Sequence, residues 1–180
     1  MKLIAIQGVC GSYSEEAAGK MFGDKAEVLE CEDFAQTFDA VVSERADYAL
    51  VPLRNKIVGE VESAVREFQR TKLKILDQLM LEIRHALIGT PDAQLDGVEV
   101  IRSHAEALKQ CGKFLAEKHW QIETGKDTAS SVRRIVADGD PSKAAIGSPR
   151  AADIYGGKIL REDISDERDN VTYFYLVGRY

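Results

Sequence analysis

Short apolar runs alternate with amphipathic segments along the whole chain. Residues 3–6 form the first apolar run, which ends in a glycine-containing loop, and Ser12 or Ser14 is placed to cap a helix directly after it. Asp33 is placed to cap a second helix, because apolar side chains recur after it at helical spacing. Further strands are predicted at residues 26–31, 47–53, 73–90 (as one or two strands), 98–102, around 122, at 143–147 and at 171–177, and further helices at residues 61–68, 108–115, 129–136 and 150–155. This alternation predicts an α/β fold with mostly parallel strands.

The pattern restarts after Pro91, and this predicts two lobes. A capped helix followed by a buried strand occurs at residues 32–52 and again at 126–147. We expect lobe 1 to comprise residues 1–80 plus 166–180 and lobe 2 to comprise residues 81–165. In open α/β sheets, ligands bind beyond the carboxyl ends of the strands. Two such lobes predict a cleft lined by helix N-termini, which favour carboxylates.

Composition excludes several classes of protein. The 180 residues are 44% apolar and 30% charged, which indicates a folded domain. The net charge of −6 argues against a nucleic-acid-binding protein. No apolar run approaches the length of about 20 residues that a membrane span needs, so we expect a cytoplasmic protein with no membrane partner. Neither the three cysteines nor the three histidines have metal-ligand spacing, so no metal site is predicted.

Polar side chains cluster where predicted strands lead into helices. A single polar residue at such a junction more often caps a helix than takes part in catalysis. Together, however, these residues are expected to face one groove that binds a small anionic ligand. They are Ser12, Tyr13, Ser14, Arg54, Asn55, Lys56, Ser103, His104, Glu106, Thr128, Ala129, Ser130, Asn170 and Thr172. No dinucleotide-binding, P-loop, zinc-protease or serine-hydrolase motif accompanies them.

The order of short motifs resembles that of prephenate dehydratases. Gly8-Val-Cys-Gly11-Ser-Tyr-Ser14-Glu-Glu-Ala is similar to the family's G-P-x-G-T-F-S-E-x-A, and Val51-Pro52-Leu-Arg54-Asn55-Lys56 is similar to V-P-x-E-N-S. The resemblance continues, in order, through Ile83-Arg-His85-Ala-Leu87, Ser103-His104-Ala-Glu106-Ala-Leu108, Asp127-Thr128-Ala129, Ala145-Ile146-Gly-Ser148 and Asn170-Val-Thr172-Tyr173-Phe174. It therefore spans nearly the whole chain.

The resemblance implies two α/β lobes like those of a type II periplasmic binding protein. It also implies conversion of prephenate, a small dicarboxylate, to phenylpyruvate, without a metal or redox cofactor. Asn55 and Glu106 would hold the substrate, and Thr172 would donate a hydrogen bond to the departing hydroxyl. Tyr173 and Phe174, beside Thr172, are counted with the substrate-binding residues. A homodimer or higher homo-oligomer is expected, with no ACT or chorismate mutase domain in this chain.

Several motif positions depart from the family pattern. Arg54 replaces a glutamate, Glu106 replaces a glutamine, and Tyr173 replaces the arginine of T-R-F. We expect Glu106 to be protonated beside a dianionic substrate and to donate a hydrogen bond as the family's glutamine would. We also expect Arg54 to supply the cationic clamp that position 173 has lost, because both positions adjoin residues expected in the cleft.

Three functions remain open on these residues. The first is a dehydratase acting on prephenate or arogenate. The second is a divergent enzyme such as a non-aromatising prephenate decarboxylase, which would not need the Thr172 hydroxyl. The third is a non-catalytic module that binds a small anion.

Overall fold

Strands and helices alternate along the chain in the computed structural model, which describes residues 1–179. The strands are β1 (Lys2–Gln7), β2 (Ala26–Cys31), β3 (Tyr48–Asn55), β4 (Gly59–Glu60), β5 (Lys74–Glu82), β6 (Ala86–Gly89), β7 (Val100–His104), β8 (Gln121–Gly125), β9 (Lys143–Gly147), β10 (Lys158–Arg161) and β11 (Val171–Gly178). The α-helices are α1 (Tyr13–Phe22), α2 (Phe34–Val42), α3 (Glu62–Gln69), α4 (Ala105–Gln110), α5 (Gly112–Leu115), α6 (Thr128–Asp138) and α7 (Pro149–Tyr155), and short 3-10 helices occupy Gly23–Lys25 and Leu95–Gly97. The predicted α/β fold is confirmed.

The chain divides into two compact units. Unit 1 contains Met1–Ile83 and Asp169–Tyr180, and unit 2 contains Arg84–Arg168. The first crossing between them therefore falls after Ile83, where residue 80 was expected, and the second after Arg168, where residue 165 was expected.

Unit 1 is built on a mixed sheet with the strand order β2-β1-β3-β11-β5, and β4 pairs with β3. Strands β1, β2 and β3 are parallel, but β11 runs antiparallel to both β3 and β5. The expectation of mostly parallel pairing was wrong, because the returning strand β11 inserts between β3 and β5. One face of the sheet carries a core that includes Phe38, Val51 and Leu53, and the other carries a core that includes Ile4 and Phe174.

A β-bulge in β3 decides which side chains share a face at the end of that strand. Tyr173 pairs with Arg54, but its neighbour Phe174 pairs with Pro52, so Leu53 is one residue extra in β3. An extra residue interrupts the regular alternation of side chains. Asn55 therefore lies on the same face as Thr172, which is opposite it in the register.

Unit 2 is built on a second mixed sheet with the order β10-β6-β9-β7-β8. Strands β7, β8 and β9 are parallel, whereas β6 is antiparallel to β9 and β10. Helices α4, α6 and α7 each begin within three residues of the carboxyl end of one parallel strand. The helix N-termini of this unit therefore gather at one edge of its sheet.

Side-chain caps begin these helices where the sequence places cap-forming residues. Ser12 caps α1 by accepting from the backbone N–H of Glu15 at 3.2 Å, and Asp33 caps α2 by accepting from Gln36 at 2.8 Å. Asp127, rather than Thr128, caps α6 by accepting from the Ser130 N–H at 2.6 Å. Across residues 1–179, no helix has both the length and the apolar character needed to cross a membrane.

Candidate functional site

The Asn55 side chain is the centre of a buried hydrogen-bond network at the end of β3. Its amide nitrogen donates to Asn170 Oδ1 at 2.7 Å and to Thr172 Oγ1 at 2.8 Å. Its amide oxygen accepts from the backbone N–H groups of Ile57 and Val58 at 2.9 and 3.0 Å. These four bonds use both donors and both lone pairs of the amide. The Asn55 side chain is 8% exposed, and its four hydrogen bonds hold it in one orientation at the end of β3.

The Thr172 hydroxyl is oriented by this network. Its oxygen accepts from Asn55, and within residues 1–179 the hydroxyl donates to no other group. Because the Thr172 oxygen accepts this bond, the hydroxyl hydrogen points away from the Asn55 amide. Thr172 is 7% exposed, so this donor lies in a largely desolvated position. The structure thus brings together Asn55 and Thr172, two of the three residues predicted to be catalytic.

Arg54 and Tyr173 form a separate pair on the other face of the sheet. They are opposite each other in the β3–β11 register, and the guanidinium carbon of Arg54 lies 5.8 Å from the centroid of the Tyr173 ring. Tyr175, on the same face as Tyr173, packs on the core that contains Phe38. The shared groove expected for Arg54, Tyr173 and Asn55 is therefore not what the structure shows. The Arg54 side chain is exposed and makes a cation–π contact instead.

Phe174 does not belong to the site. Its side chain is 2% exposed and packs in the core with Ile4, Leu50 and Leu81. The prediction that it contacts a ligand was wrong, since the aromatic ring of the Thr-Tyr-Phe motif fills the interior of unit 1.

The loop after β1 lies at the same end of the sheet as Asn55, because β1 and β3 are parallel. Gly8 and Gly11 adopt positive φ angles of 101° and 84°, which glycine tolerates best. Ser12 and Ser14 are buried at the start of α1, and Tyr13 packs on the core that contains Phe174. These residues are therefore on the Thr172 face of the sheet.

The loop's own N–H groups are used by carboxylates of the chain. The Cys10 N–H donates to Glu30 Oε1 at 2.6 Å, and the Gly11 N–H donates to Glu15 Oε2 at 3.3 Å. The Glu15 backbone N–H donates to Ser12 Oγ, while the Glu15 carboxylate accepts from Gly11, one residue before the N-cap N–H that a capping box would use.

The candidate residues of unit 2 gather at the carboxyl edge of β7, β8 and β9. The His104 ring accepts from the Glu106 N–H at 3.2 Å through Nδ1 and so caps α4. Glu106 is half-buried in the first turn, and Thr128 occupies the first position of α6. Ser130 is held through its N–H by the cap carboxylate of Asp127.

Two residues predicted to bind substrate are fully buried in unit 2. Ser103 is fully buried, and its hydroxyl donates to the Ile146 carbonyl at 2.7 Å. Ala129 is also fully buried, in the first turn of α6. Only the backbone N–H of Ala129 is therefore a candidate ligand contact.

Sequence reasoning placed Asn170 among the corners of the expected groove without giving it a specific role, and it named Ser148 only as part of a motif. Asn170 is fully buried and is the second side-chain partner of Asn55. Its position two residues before Thr172 was the available signal, since alternate residues of a strand share a face. Ser148 caps α7 by accepting from the Ala151 N–H at 3.0 Å, and the Pro149 that follows it is typical of a first helical position.

Unit 2 also contains two buried titratable groups. His85 is 3% exposed and its Nε2 lies 2.9 Å from Gln110 Oε1, so the buried ring has a hydrogen-bond partner. Burial lowers the pKa of His85. Burial, assisted by the nearby Asp166 charge, raises the pKa of the Cys111 thiol to about 12, so this cysteine is a neutral core residue. In the part of the chain that the structure describes, no three His, Cys, Asp or Glu side chains are placed to hold a metal ion.

Comparison with known proteins agrees with the order of motifs. The family model for prephenate dehydratase matches residues 4–180. The chain belongs to the prephenate dehydratase family. A curated relative, arogenate dehydratase/prephenate dehydratase 1 of Arabidopsis thaliana, a chloroplastic protein, is 36% identical over 176 residues, which cover 98% of this chain and 45% of the relative.

Two solved structures are similar over nearly the whole chain. The prephenate dehydratase of Arthrobacter aurescens, in complex with L-Phe, has a TM-score of 0.90 at 28% identity, covering 99% of this chain and 60% of that one. A protein called GqqA, described as a novel type of quorum quenching acylase, has a TM-score of 0.88 at 29% identity, covering 99% of this chain and 64% of that one. The chain spans about half the length of the curated prephenate dehydratase relatives that it matches.

Proposed function

We propose that this member of the prephenate dehydratase family catalyses the decarboxylating dehydration of prephenate, or of arogenate, to an aromatic product. The observation that carries the proposal is the bond from Asn55 to the Thr172 hydroxyl, because it leaves that hydroxyl as a buried, oriented donor. A donor of this kind suits a reaction in which a hydroxyl group must depart.

The reaction breaks two bonds of the substrate ring. The carbon–carbon bond to the ring carboxylate supplies the electron pair that makes the ring aromatic, and carbon dioxide is released. The carbon–oxygen bond gives its pair to the departing oxygen, which leaves as water after it accepts a proton. Thr172 stabilises the developing charge on that oxygen by hydrogen bonding. Its hydroxyl is too weak an acid to be the proton source at neutral pH.

Asn55 positions the donor and does not need to touch the substrate. Its four hydrogen bonds fix the Thr172 oxygen as an acceptor, and Asn170 holds the other amide hydrogen. A preorganised donor avoids the cost of reorienting during the reaction.

The roles proposed for unit 2 rest on the resemblance of its motifs. Glu106 is assigned as a protonated hydrogen-bond donor to the bound dianion and as the candidate proton source. Thr128 and Ala129 are assigned to carboxylate binding through their N–H groups, because the first turn of a helix favours anions. The homodimer expected from the sequence is part of the proposal, and the cytoplasmic location stays a prediction.

The test is to incubate the purified chain with prephenate and, separately, with arogenate. Chromatography with mass detection follows phenylpyruvate, phenylalanine and any decarboxylated product that keeps the hydroxyl. We expect aromatic product that Thr172→Val reduces by about 10²–10³ in kcat, as for loss of one oxyanion donor, and that Thr172→Ser largely retains.

Three outcomes would contradict the proposal. A non-aromatic product would favour the decarboxylase, and binding without turnover would favour an anion-binding module. Aromatic product formed equally well by Thr172→Val would remove the assigned role of the hydroxyl.

A further inference from the structure

Ser14 is a buried polar residue whose donors have no partner in the protein. It is 7% exposed, and within residues 1–179 neither its hydroxyl nor its backbone N–H forms a hydrogen bond. Every other buried polar side chain in the same range has at least one partner. A buried hydroxyl of this kind is rare in native proteins, because burial removes its hydrogen bonds to water. Ser14 therefore indicates a place where a polar ligand binds.

The Ser14 side chain faces the sheet at the carboxyl edge of unit 1. Ser14 is the second residue of α1, and Ala17 and Ala18, three and four residues later, are buried in the core that contains Phe174. Residues at this spacing share one face of a helix, and their side chains lean toward the helix N-terminus. The hydroxyl is therefore directed to the end of the sheet where β1 and β3 finish, on the face that carries Thr172.

The first turn of α1 provides two donors at this point. The N–H of the second helical residue has no acceptor within the helix, because the helix has not yet begun four residues before it. Helix α1 has ten residues, and its aligned peptide dipoles make this end positive. The N–H and the hydroxyl of Ser14 can therefore both donate to one carboxylate.

Acidic side chains of the chain lie near this turn but do not use these donors. Glu15 and Glu30 accept from backbone N–H groups of the loop before the helix, and Glu16 forms an ion pair with Lys20 at 2.9 Å. Adjacent residues of a helix lie about 100° apart around its axis, so the Glu15 side chain does not share the face of Ser14.

We propose that Ser14 binds the carboxylate that the substrate keeps through the reaction. In the proposed function, on which this assignment rests, the substrate carries two carboxylates and loses the one on the ring as carbon dioxide. A hydrogen bond to the departing carboxylate would weaken as its charge moves into the ring, and it would therefore slow the reaction. A hydrogen bond to the carboxylate of the substrate's side chain keeps its strength, so it contributes binding without opposing bond cleavage.

Isothermal titration calorimetry with phenylpyruvate as the probe tests this carboxylate site. Phenylpyruvate keeps the side-chain carboxylate and has lost the carboxylate on the ring. We expect Ser14→Ala to raise its dissociation constant about tenfold or more, the scale for loss of one hydrogen bond to a charged group. The methyl ester of phenylpyruvate has no free carboxylate, so it should bind the parent protein and Ser14→Ala alike.

Urea denaturation separates an effect on binding from an effect on folding. Ser14→Ala removes a buried hydroxyl that has no partner, so without ligand the variant should be at least as stable as the parent protein. Ser63, the exposed second residue of α3, provides the matched control. Ser63→Ala should change neither the affinity for phenylpyruvate nor the denaturation midpoint.

Steady-state kinetics with prephenate gives a further readout that a structural role would not move. The bond to the retained carboxylate is equally strong in the bound substrate and in the transition state. Ser14→Ala should therefore raise KM about tenfold and leave kcat nearly unchanged.

Three results would overturn the assignment of Ser14. They are an affinity for phenylpyruvate that Ser14→Ala leaves unchanged, a parent protein that does not bind phenylpyruvate, and a loss of stability in unliganded Ser14→Ala. The proposed function fails separately, because it depends on aromatic product. Binding of phenylpyruvate that depends on Ser14, without turnover of prephenate or arogenate, would keep the carboxylate site and exclude the reaction.

Discussion

The Asn55 amide is the residue on which the unit 1 site depends most, since all four of its hydrogen-bonding positions are used. We expect Asn55→Asp to lose both donated bonds and to place a carboxylate beside the acceptors on Asn170 and Thr172. The free energy of unfolding should fall by about 1–3 kcal/mol for each buried partner left unsatisfied. Turnover should fall by at least about 10², because the Thr172 hydroxyl loses its orientation.

Urea denaturation and steady-state kinetics measure these two effects. Gln94→Glu, the same amide-to-acid change on an exposed residue, is the control and should alter neither. Parent-like turnover in Asn55→Asp would show that the network does not organise the reaction.

Glu106, in the first turn of α4, is the residue assigned as a hydrogen-bond donor to the substrate in the proposed function. Glu106→Gln keeps a donor at this position, so we expect it to retain most of the turnover, whereas Glu106→Ala removes the donor and should lower kcat/KM about tenfold. Steady-state kinetics on the three proteins checks this, and parent-like kinetics in Glu106→Ala would exclude the assigned role. Glu99→Gln, on an exposed residue of unit 2, is the control.

The residues of the site could be recognised from motifs, but their contacts could not. Asn55 and Thr172 were predicted as catalytic, and the structure joins them. Arg54 was misplaced because alternation along β3 assigns faces only while the register is regular. Phe174 does share the face of Thr172, but it lies further along β11, where that face is covered by the core. The bulge at Leu53 has no sequence signal of its own.

At the scale of elements, α6 depends on one side-chain cap. The Asp127 carboxylate accepts from the Ser130 N–H at 2.6 Å. We expect Asp127→Ala to lower the free energy of unfolding by about 1 kcal/mol, whereas Asp127→Asn should keep most of the cap. Urea denaturation measures both.

Asp138, in the last turn of the same helix, provides the control. Its carboxylate lies at the negative end of the helix dipole, which is unfavourable, but it also forms an ion pair with Arg134, which is favourable. Because these two effects oppose each other, Asp138→Ala should change the free energy of unfolding little. An equal loss in Asp127→Ala and Asp138→Ala would point to helix propensity rather than capping.

Hydrophobic periodicity predicted most elements, because each needs one apolar stripe or run. It left residues 73–90 as one or two strands, and the structure has two, β5 and β6. It could not show that β6 and β11 pair antiparallel, since the partner of a buried strand depends on the path of the whole chain.

At the scale of the whole molecule, His85 links stability to pH. Burial lowers the pKa of His85 in the folded state, whereas in the unfolded chain this pKa is about 6.5. At pH values between the two, the unfolded chain binds a proton that the folded chain does not. Stability should therefore fall as pH decreases below about 6.5, by at most about 1.4 kcal/mol per pH unit from this group. Most carboxylates titrate near pH 4, below this window.

We expect His85→Gln to remove this slope while keeping a donor for Gln110. Denaturation midpoints measured between pH 7 and pH 5 test it, with exposed His119→Gln as the control that keeps the slope. A slope that survives in His85→Gln would assign it to another group.

The contact between Arg54 and Tyr173 links two of the departures from the family pattern, those at positions 54 and 173. In the register of β3 and β11, the family's glutamate at position 54 would be opposite its arginine at position 173. Two substitutions that look unrelated in the sequence are therefore one exchange of a cross-strand pair, on the face that does not carry Asn55 and Thr172. Starting from the family pattern, a lineage that changed position 54 first would pass through arginine opposite arginine, which is destabilising. The less costly evolutionary path replaces the arginine at 173 by tyrosine first, and only then the glutamate at 54 by arginine.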